Sequence, residues 1–318
     1  MKYSIITPVY NREDCLLRCL ESVERNLSND YEIEHLIVDD GSADRSPGIA
    51  RHYAESHPHA RFFQFDKNRG TNAARNHAIA NATGVFCIIL DSDDYFKDDA
   101  LSFINGVVSK TDYKAYMFAP DDMTAYYRKN RIIRGRESAE LNFGNFLRGE
   151  IGGDFIHCIS TDILKRNPFD EYLRTYEGVF FLRFFKEAQK MLFTNHVVTI
   201  RERSRADSVT RMMIASNRKA IRKGYKANCL RYVWFENDYL SLKETGAITN
   251  LLNDLLFQSM LLSERGDSKK WFDKIEELNL EFIPKNRKLY KFHLGGLYFL
   301  MMKTYFILKY NILNKRLK

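Results

Sequence analysis

Apolar and polar positions come in blocks along the first hundred residues, and the period changes from block to block. Val85 to Leu90 is an unbroken apolar run, which predicts a strand buried on both faces, as inside a parallel sheet. Tyr3 to Tyr10, Ile33 to Val38 and Arg61 to Phe65 read as three more strands. Pro8 is expected to end the first ladder, because it has no N–H to donate. Between the strands, Leu16, Leu17, Leu20 and Val23 are spaced to share one helical face. Pro47 to Ser56 and Thr71 to Asn81 are also helical. Strand and helix alternate four times before residue 95, which predicts an α/β fold with a doubly wound, mostly parallel sheet. Beyond about residue 215 only the helical period remains: Ile221, Tyr225, Cys229 and Tyr232, then Leu251, Leu252, Leu255, Leu256, Ser259 and Leu262, then Trp271, Phe272, Ile275 and Leu278. The expected division is therefore an α/β domain over 1–215 and a helical region over 216–318.

The strands end on polar groups. Thr7 to Tyr10, Asp39-Asp40, Lys67 to Gly70 and Asp91 to Asp94 all fall at carboxyl ends, where open α/β sheets take their ligands. Asp91, Asp93 and Asp94 put three carboxylates into four residues. Keeping them ionised together requires a cation or several donors. Oxygen ligands favour Mg²⁺ or Mn²⁺, and Mg²⁺ takes one or two protein carboxylates and completes its shell with water and phosphate oxygens. That chemistry points to a bound diphosphate. The plainer alternative is an acidic turn that caps the segment from Phe96 to Val108.

Four ordered motifs, Ser4 to Asn11, Val38 to Ser42, Asn68 to Asn76 and Leu90 to Asp94, resemble the family 2 glycosyltransferases of GT-A fold. The resemblance implies a nucleotide-sugar donor, a divalent metal and transfer with inversion at the anomeric carbon. Carried over by position, Thr7, Pro8 and Tyr10 line uracil and ribose, and Asp39 accepts the N3–H of the base, a task that suits an acceptor-only carboxylate. Arg69 and Arg75 meet phosphate or the carboxylates at 91–94, Asp91 serves the donor, and Asp93 is the principal metal ligand with Asp91 beside it. Relatives carry an adjacent acid pair at a helix start, and here Glu177 is followed by Gly178. Glu177 is the expected base, with Asp154 in reserve, and the alternative is an acid that only favours the helix N-terminus. The basic stretch from Arg201 to Arg211 is expected to close the domain and fold over the diphosphate. Two competing functions follow from the same residues. A sugar-1-phosphate nucleotidyltransferase would carry a Gly-rich stretch with Lys near the N-terminus, which this sequence lacks. A binding protein without turnover would explain Gly178.

Charge refines this picture. The 318 residues carry a net +8, with +9 from Lys285 to Lys318 and +8 from Arg201 to Arg231, which leaves −9 for the rest. An acidic body thus carries two basic segments. Five cysteines, odd in number and mostly within apolar runs, imply neither a disulfide framework nor a zinc site. The apolar part of Met1 to Pro8 is too short for a signal peptide, so a cytoplasmic location is expected. Leu294 to Met302 is apolar but too short to span a bilayer. With its basic and aromatic neighbours, the segment 285–318 reads as an interfacial helix on an anionic membrane surface, near a glycan or lipid-linked acceptor. A homodimer contact is the other use of such a tail. Nucleic acid is not expected, since no recognition signature accompanies the basic segments.

Overall fold

The computed structural model describes residues 1–173, 176–202, 217–242, 244–306 and 308. By internal contacts the chain forms two units, Met1–Ser204 and Arg205–Lys318. The expected boundary at 215 lies outside the described residues, as does the expected closing loop beyond Glu202.

In the first unit, strands β1 (Lys2–Val9), β2 (Glu32–Asp39), β3 (Ala60–Gln64) and β4 (Phe86–Ile89) alternate with helices α1 (Leu16–Glu24), α2 (Ser46–Ser56) and α3 (Thr71–Asn81). These four strands pair in parallel in the order β3-β2-β1-β4. Beyond β4 the sheet is mixed. It continues through β8 (Ile156–Ser160), β6 (Ala115–Pro120), β9 (Lys190–Ile200) and β5 (Tyr95–Phe96), and β7 (Ser138–Asn142) also pairs with β9. β8 runs antiparallel to both its neighbours, and β9 is parallel to β6. Helices α4 (Ala100–Val108), α5 (Thr124–Lys129), α6 (Phe143–Leu147), α7 (Thr161–Arg166) and α8 (Gly178–Ala188) complete the unit.

Pro8 does not end the first ladder. It pairs with Val38 in register, and β1 continues to Val9. Leu90 N–H donates to Ile6 and Asp40 N–H to Val9, so even positions of β1 face β4 and odd ones face β2. The N–H that Pro8 lacks would point past the end of β4, where no ladder bond is lost. The face of α1 also differs from its apolar spacing: Leu16, Cys19, Leu20 and Val23 are buried, whereas Leu17 is exposed. One core, with Ile5, Ile88, Phe96, Ile104 and Phe118, lies between the sheet and α1 and α4. A second gathers Val9, Leu16, Leu20, Ile37, Ala50 and Tyr53.

The second unit contains α9 (Arg218–Ser241), α10 (Gly246–Leu262), α11 (Arg265–Glu277), α12 (Pro284–Lys291) and α13 (Gly295–Phe306). α10 is its axis, with Leu251, Leu252, Leu255 and Leu256 buried. Several polar groups inside are paired, which offsets the cost of burying them. Trp271 Nε1 donates to Tyr225 Oη at 2.8 Å, and Asn253 Nδ2 donates to the carbonyls of Thr249 and Glu281. At Gly295 a Cβ would lie 2.5 Å from the Met260 carbonyl oxygen, so only glycine lets α13 approach α10 this closely. Among the described residues no helix is long and apolar enough to cross a membrane.

Candidate active site

The residues after β2 build the floor of the site. Asp39 is fully buried. Its Oδ2 accepts from Ser42 N–H at 3.0 Å, while its buried Oδ1 has no hydrogen-bond partner. A buried carboxylate oxygen without a donor carries a desolvation penalty, and an incoming N–H would relieve it. Asp40 next to it clamps the following loop, with Oδ1 accepting from Arg69 N–H at 2.6 Å and Oδ2 from Gly70 N–H at 2.8 Å. Gly41 has φ +69°, and a Cβ there would sit 2.6 Å from the Lys67 carbonyl carbon, so the clamp requires glycine. Ser42 Oγ accepts from Asn11 N–H, and Asn11 Oδ1 accepts from Ala43 N–H, which ties the end of β1 to the same turn.

At the end of β1, Thr7 is buried with its Oγ1 2.9 Å from His35 Nε2, and burial among apolar groups pushes His35 down to about 3. The Thr7 side chain is therefore engaged in the core, and what β1 offers a ligand is its backbone. Pro8 is buried as well. Tyr10 is 39% exposed and stands at the rim rather than in the core.

After β4 the three carboxylates have different partners. Asp91, 48% exposed at its side chain, accepts from Arg75 Nη2 at 2.8 Å. Asp93 lies 3.6 Å from Arg12 Nε. Asp94 accepts from Glu202 N–H at 3.2 Å, and its carboxyl is pushed up to about 8 by burial and by the negative charge of Asp91 and Asp93. Among the described residues no group of three His, Cys, Asp or Glu side chains converges as a metal cage. One or two carboxylates suffice for a hydrated Mg²⁺ that also binds phosphate. Asp91 and Asp93 offer such an ion carboxylate oxygens two residues apart on one loop, so the donor set fits it.

α3 joins this loop to the segment before α8. Asn72, Arg75 and Asn76 share one face of the helix by their spacing. Asn72 Nδ2 donates to the Asp170 carbonyl, and Asn76 exchanges two bonds of 2.8 Å with the backbone of Phe169. Arg75, mostly but not fully buried, reaches Asp91 with one nitrogen at 2.8 Å and Glu177 with another at 3.7 Å. Burial works against its charge, but Asp91 and Glu177 outweigh this and raise its pKa. Arg69 does not reach the carboxylates at 91–94. Its guanidinium lies over the Phe65 ring and 3.4 Å from Glu171.

Glu177 is the N-cap residue of α8, yet its side chain makes no capping bond and turns to Arg75 instead. At Gly178 a Cβ would meet nothing within 4 Å, so the position that could carry a second acid is open. Asp154 is exposed and paired with Arg201 at 3.1 Å, and Arg201 also lies 3.4 Å from Asp122. Sequence reasoning had no role for Arg12, Asn72 or Asn76, and it gave Arg201 to the loop over the diphosphate rather than to Asp122 and Asp154. The i, i+3, i+4 spacing of Asn72, Arg75 and Asn76 was the available signal for two of them.

Glu177, Arg75 and the acids after β4 thus meet at one edge of the sheet, and residues 4–172 match the family model described as glycosyl transferase family 2. The chain belongs to that family. It is 41% identical over 93 residues to an Escherichia coli protein named uncharacterized glycosyltransferase YibD, across 29% of this chain and 26% of the relative. Two other curated relatives are covered to 42% and 64% of their length, so the chain spans about a quarter to under two thirds of these proteins. In fold it is similar to S. aureus TarS 1-349 in complex with UDP-GlcNAc, with TM-score 0.61, 16% identity, and 89% of this chain and 93% of that one covered. It is also similar to the mannosyltransferase PcManGT from Pyrobaculum calidifontis in complex with GDP-Man and Mn²⁺, with TM-score 0.55, 17% identity, and 95% and 86% covered.

Proposed function

We propose that this chain transfers a sugar from a nucleoside diphosphate donor, a UDP-sugar, to a hydroxyl of a glycan or lipid-linked acceptor, with inversion. The observation that carries the reading is Arg75, which spans Asp91 on the leaving-group side and Glu177 on the acceptor side. Asp39 Oδ1 receives the base's N–H, the end of β1 with Thr7, Pro8 and Tyr10 flanks the nucleoside, and Asp93 with Asp91 would hold Mn²⁺ or Mg²⁺. When bound, that ion spreads the negative charge developing on the departing diphosphate. Glu177 takes the proton of the acceptor hydroxyl. The acceptor oxygen bonds to the anomeric carbon while the bond from that carbon to the diphosphate oxygen breaks, and UDP leaves with the electron pair. The two structural relatives, one in complex with UDP-GlcNAc and one with GDP-Man and Mn²⁺, support a nucleotide-sugar donor and a divalent ion.

Thermal shift against a panel of nucleotide sugars with Mn²⁺ tests this reading. One donor class should stabilise the wild type and not Asp39→Ala, and a panel with no stabilising member would sink it. Gly178 favours a second reading, a donor-binding protein without turnover. That reading requires donor binding with no UDP release in the presence of any acceptor.

A further inference from the structure

We propose that the outward face of α13 is a docking surface for an anionic lipid headgroup layer. α13 is apolar on two sides. Gly295 and Phe299 are buried, with Gly295 against Met260 of α10. At 100° per residue, Leu294, Leu297, Leu300 and Met301 occupy an arc of about 120° on the opposite side, and they are 40%, 55%, 57% and 62% exposed. Scattered exposed leucines are ordinary, but Leu297, Leu300 and Met301 on one arc of the helix, with Leu294 at its start, form a patch of the kind that marks an interaction surface.

Charge selects the occupant. Lys285, Arg287, Lys288 and Lys291 of α12 are exposed immediately before this helix, Lys303 is exposed on it, and no Asp or Glu occurs from residue 282 to the end of the chain. A second copy meeting the face symmetrically would bring these cations against their own equivalents. A nucleic acid would satisfy the cations but not the leucines. A headgroup layer with acyl chains beneath satisfies both. Twelve residues of helix extend about 18 Å, short of the roughly 30 Å hydrocarbon core, so α13 would lie in the interface rather than cross it.

This surface is independent of the sugar-transfer reading, and its test leaves donor binding as a separate measurement. Deleting 285–318 would remove the buried Leu289 and Phe299, so surface substitutions in the full chain are the better probe. The chain should sediment with phosphatidylcholine vesicles containing phosphatidylglycerol and weakly with phosphatidylcholine alone. Arg287→Glu with Lys288→Glu should lower binding by about fivefold or more per charge, and Leu297→Glu with Met301→Glu by at least about tenfold. Circular dichroism and donor binding should be unchanged in all of them. Wild-type vesicle binding by both double variants would overturn the proposal. So would equal binding to neutral and anionic vesicles. A wild-type dimer that Leu297→Glu with Met301→Glu converts to a monomer, with no change on vesicles, would assign the face to a second copy instead.

Discussion

Gly41→Ala probes how the end of β2 holds the donor floor. The new Cβ would lie 2.6 Å from the Lys67 carbonyl carbon and 2.7 Å from Asn68 N, at φ +69°. A left-handed alanine costs about 1 kcal/mol on its own. Restoring ordinary contact at 3.4 Å moves the loop by about 0.8 Å, enough to break hydrogen bonds that tolerate little stretching. The bonds at stake are those from Arg69 and Gly70 N–H to Asp40, at 2.6 and 2.8 Å. Hydrogen bonds to a charged group contribute about 1.5–3 kcal/mol each, and water reaching this half-exposed loop recovers part of that. The total loss is about 3 kcal/mol, or roughly 6–12 °C in Tm for a unit of this size. A misplacement approaching 1 Å should also weaken UDP binding by on the order of tenfold or more. Gly48→Ala is the matched control. It lies in α2 with nothing within 4 Å of a new Cβ, and should stabilise by up to about 1 kcal/mol. Scanning calorimetry and a UDP titration on both variants decide the matter. A Gly41→Ala protein with wild-type Tm and UDP affinity would refute the clamp.

Glu177→Gln should abolish transfer while donor affinity stays within a few fold; turnover at the wild-type rate would exclude Glu177 as the base. Asn76→Ala breaks both bonds to Phe169 and should lower kcat for transfer more than it changes UDP affinity, and a loss confined to UDP affinity would contradict that. His35, held near 3 by burial, binds a proton in the unfolded chain below about 6.5 but not in the folded one. Each pH unit lost between those values therefore removes about 1.4 kcal/mol of stability. In urea denaturation, His35→Asn should lose about 2 kcal/mol less than wild type between pH 7 and pH 5, and equal losses in the two proteins would show that His35 is not the group responsible.

The first ninety-five residues were legible because strands and helices alternate and three of the four strands run into an aspartate, at Asp39, Asp66 and Asp91. The rest of the sheet was not. β6 is bounded by no glycine turn, and β9 serves three neighbours along its length, so no simple alternation survives in it. Pro8 misled because a missing N–H matters only on the side where a partner strand lies. Leu17 misled because Cys19, a small buried residue, occupies the position on α1 that an apolar count gives to leucine. At the candidate site, residue types alone marked the acids at 39, 91 and 93 as lying at strand ends, which is where β2 and β4 end. The contacts of Arg69 with Glu171 and of Arg75 with Glu177 depend on Phe169 and Asp170 docking on α3, which one sequence does not reveal.

The most direct test of the account is UDP release from the donor that the thermal-shift panel selects, measured with Mn²⁺ and with chelator for wild type and Asp93→Ala. Slow release by the wild type that requires Mn²⁺ and disappears in Asp93→Ala is the predicted result. Release that persists in chelator, or that is unchanged in Asp93→Ala, would contradict a cation seated on the acids after β4.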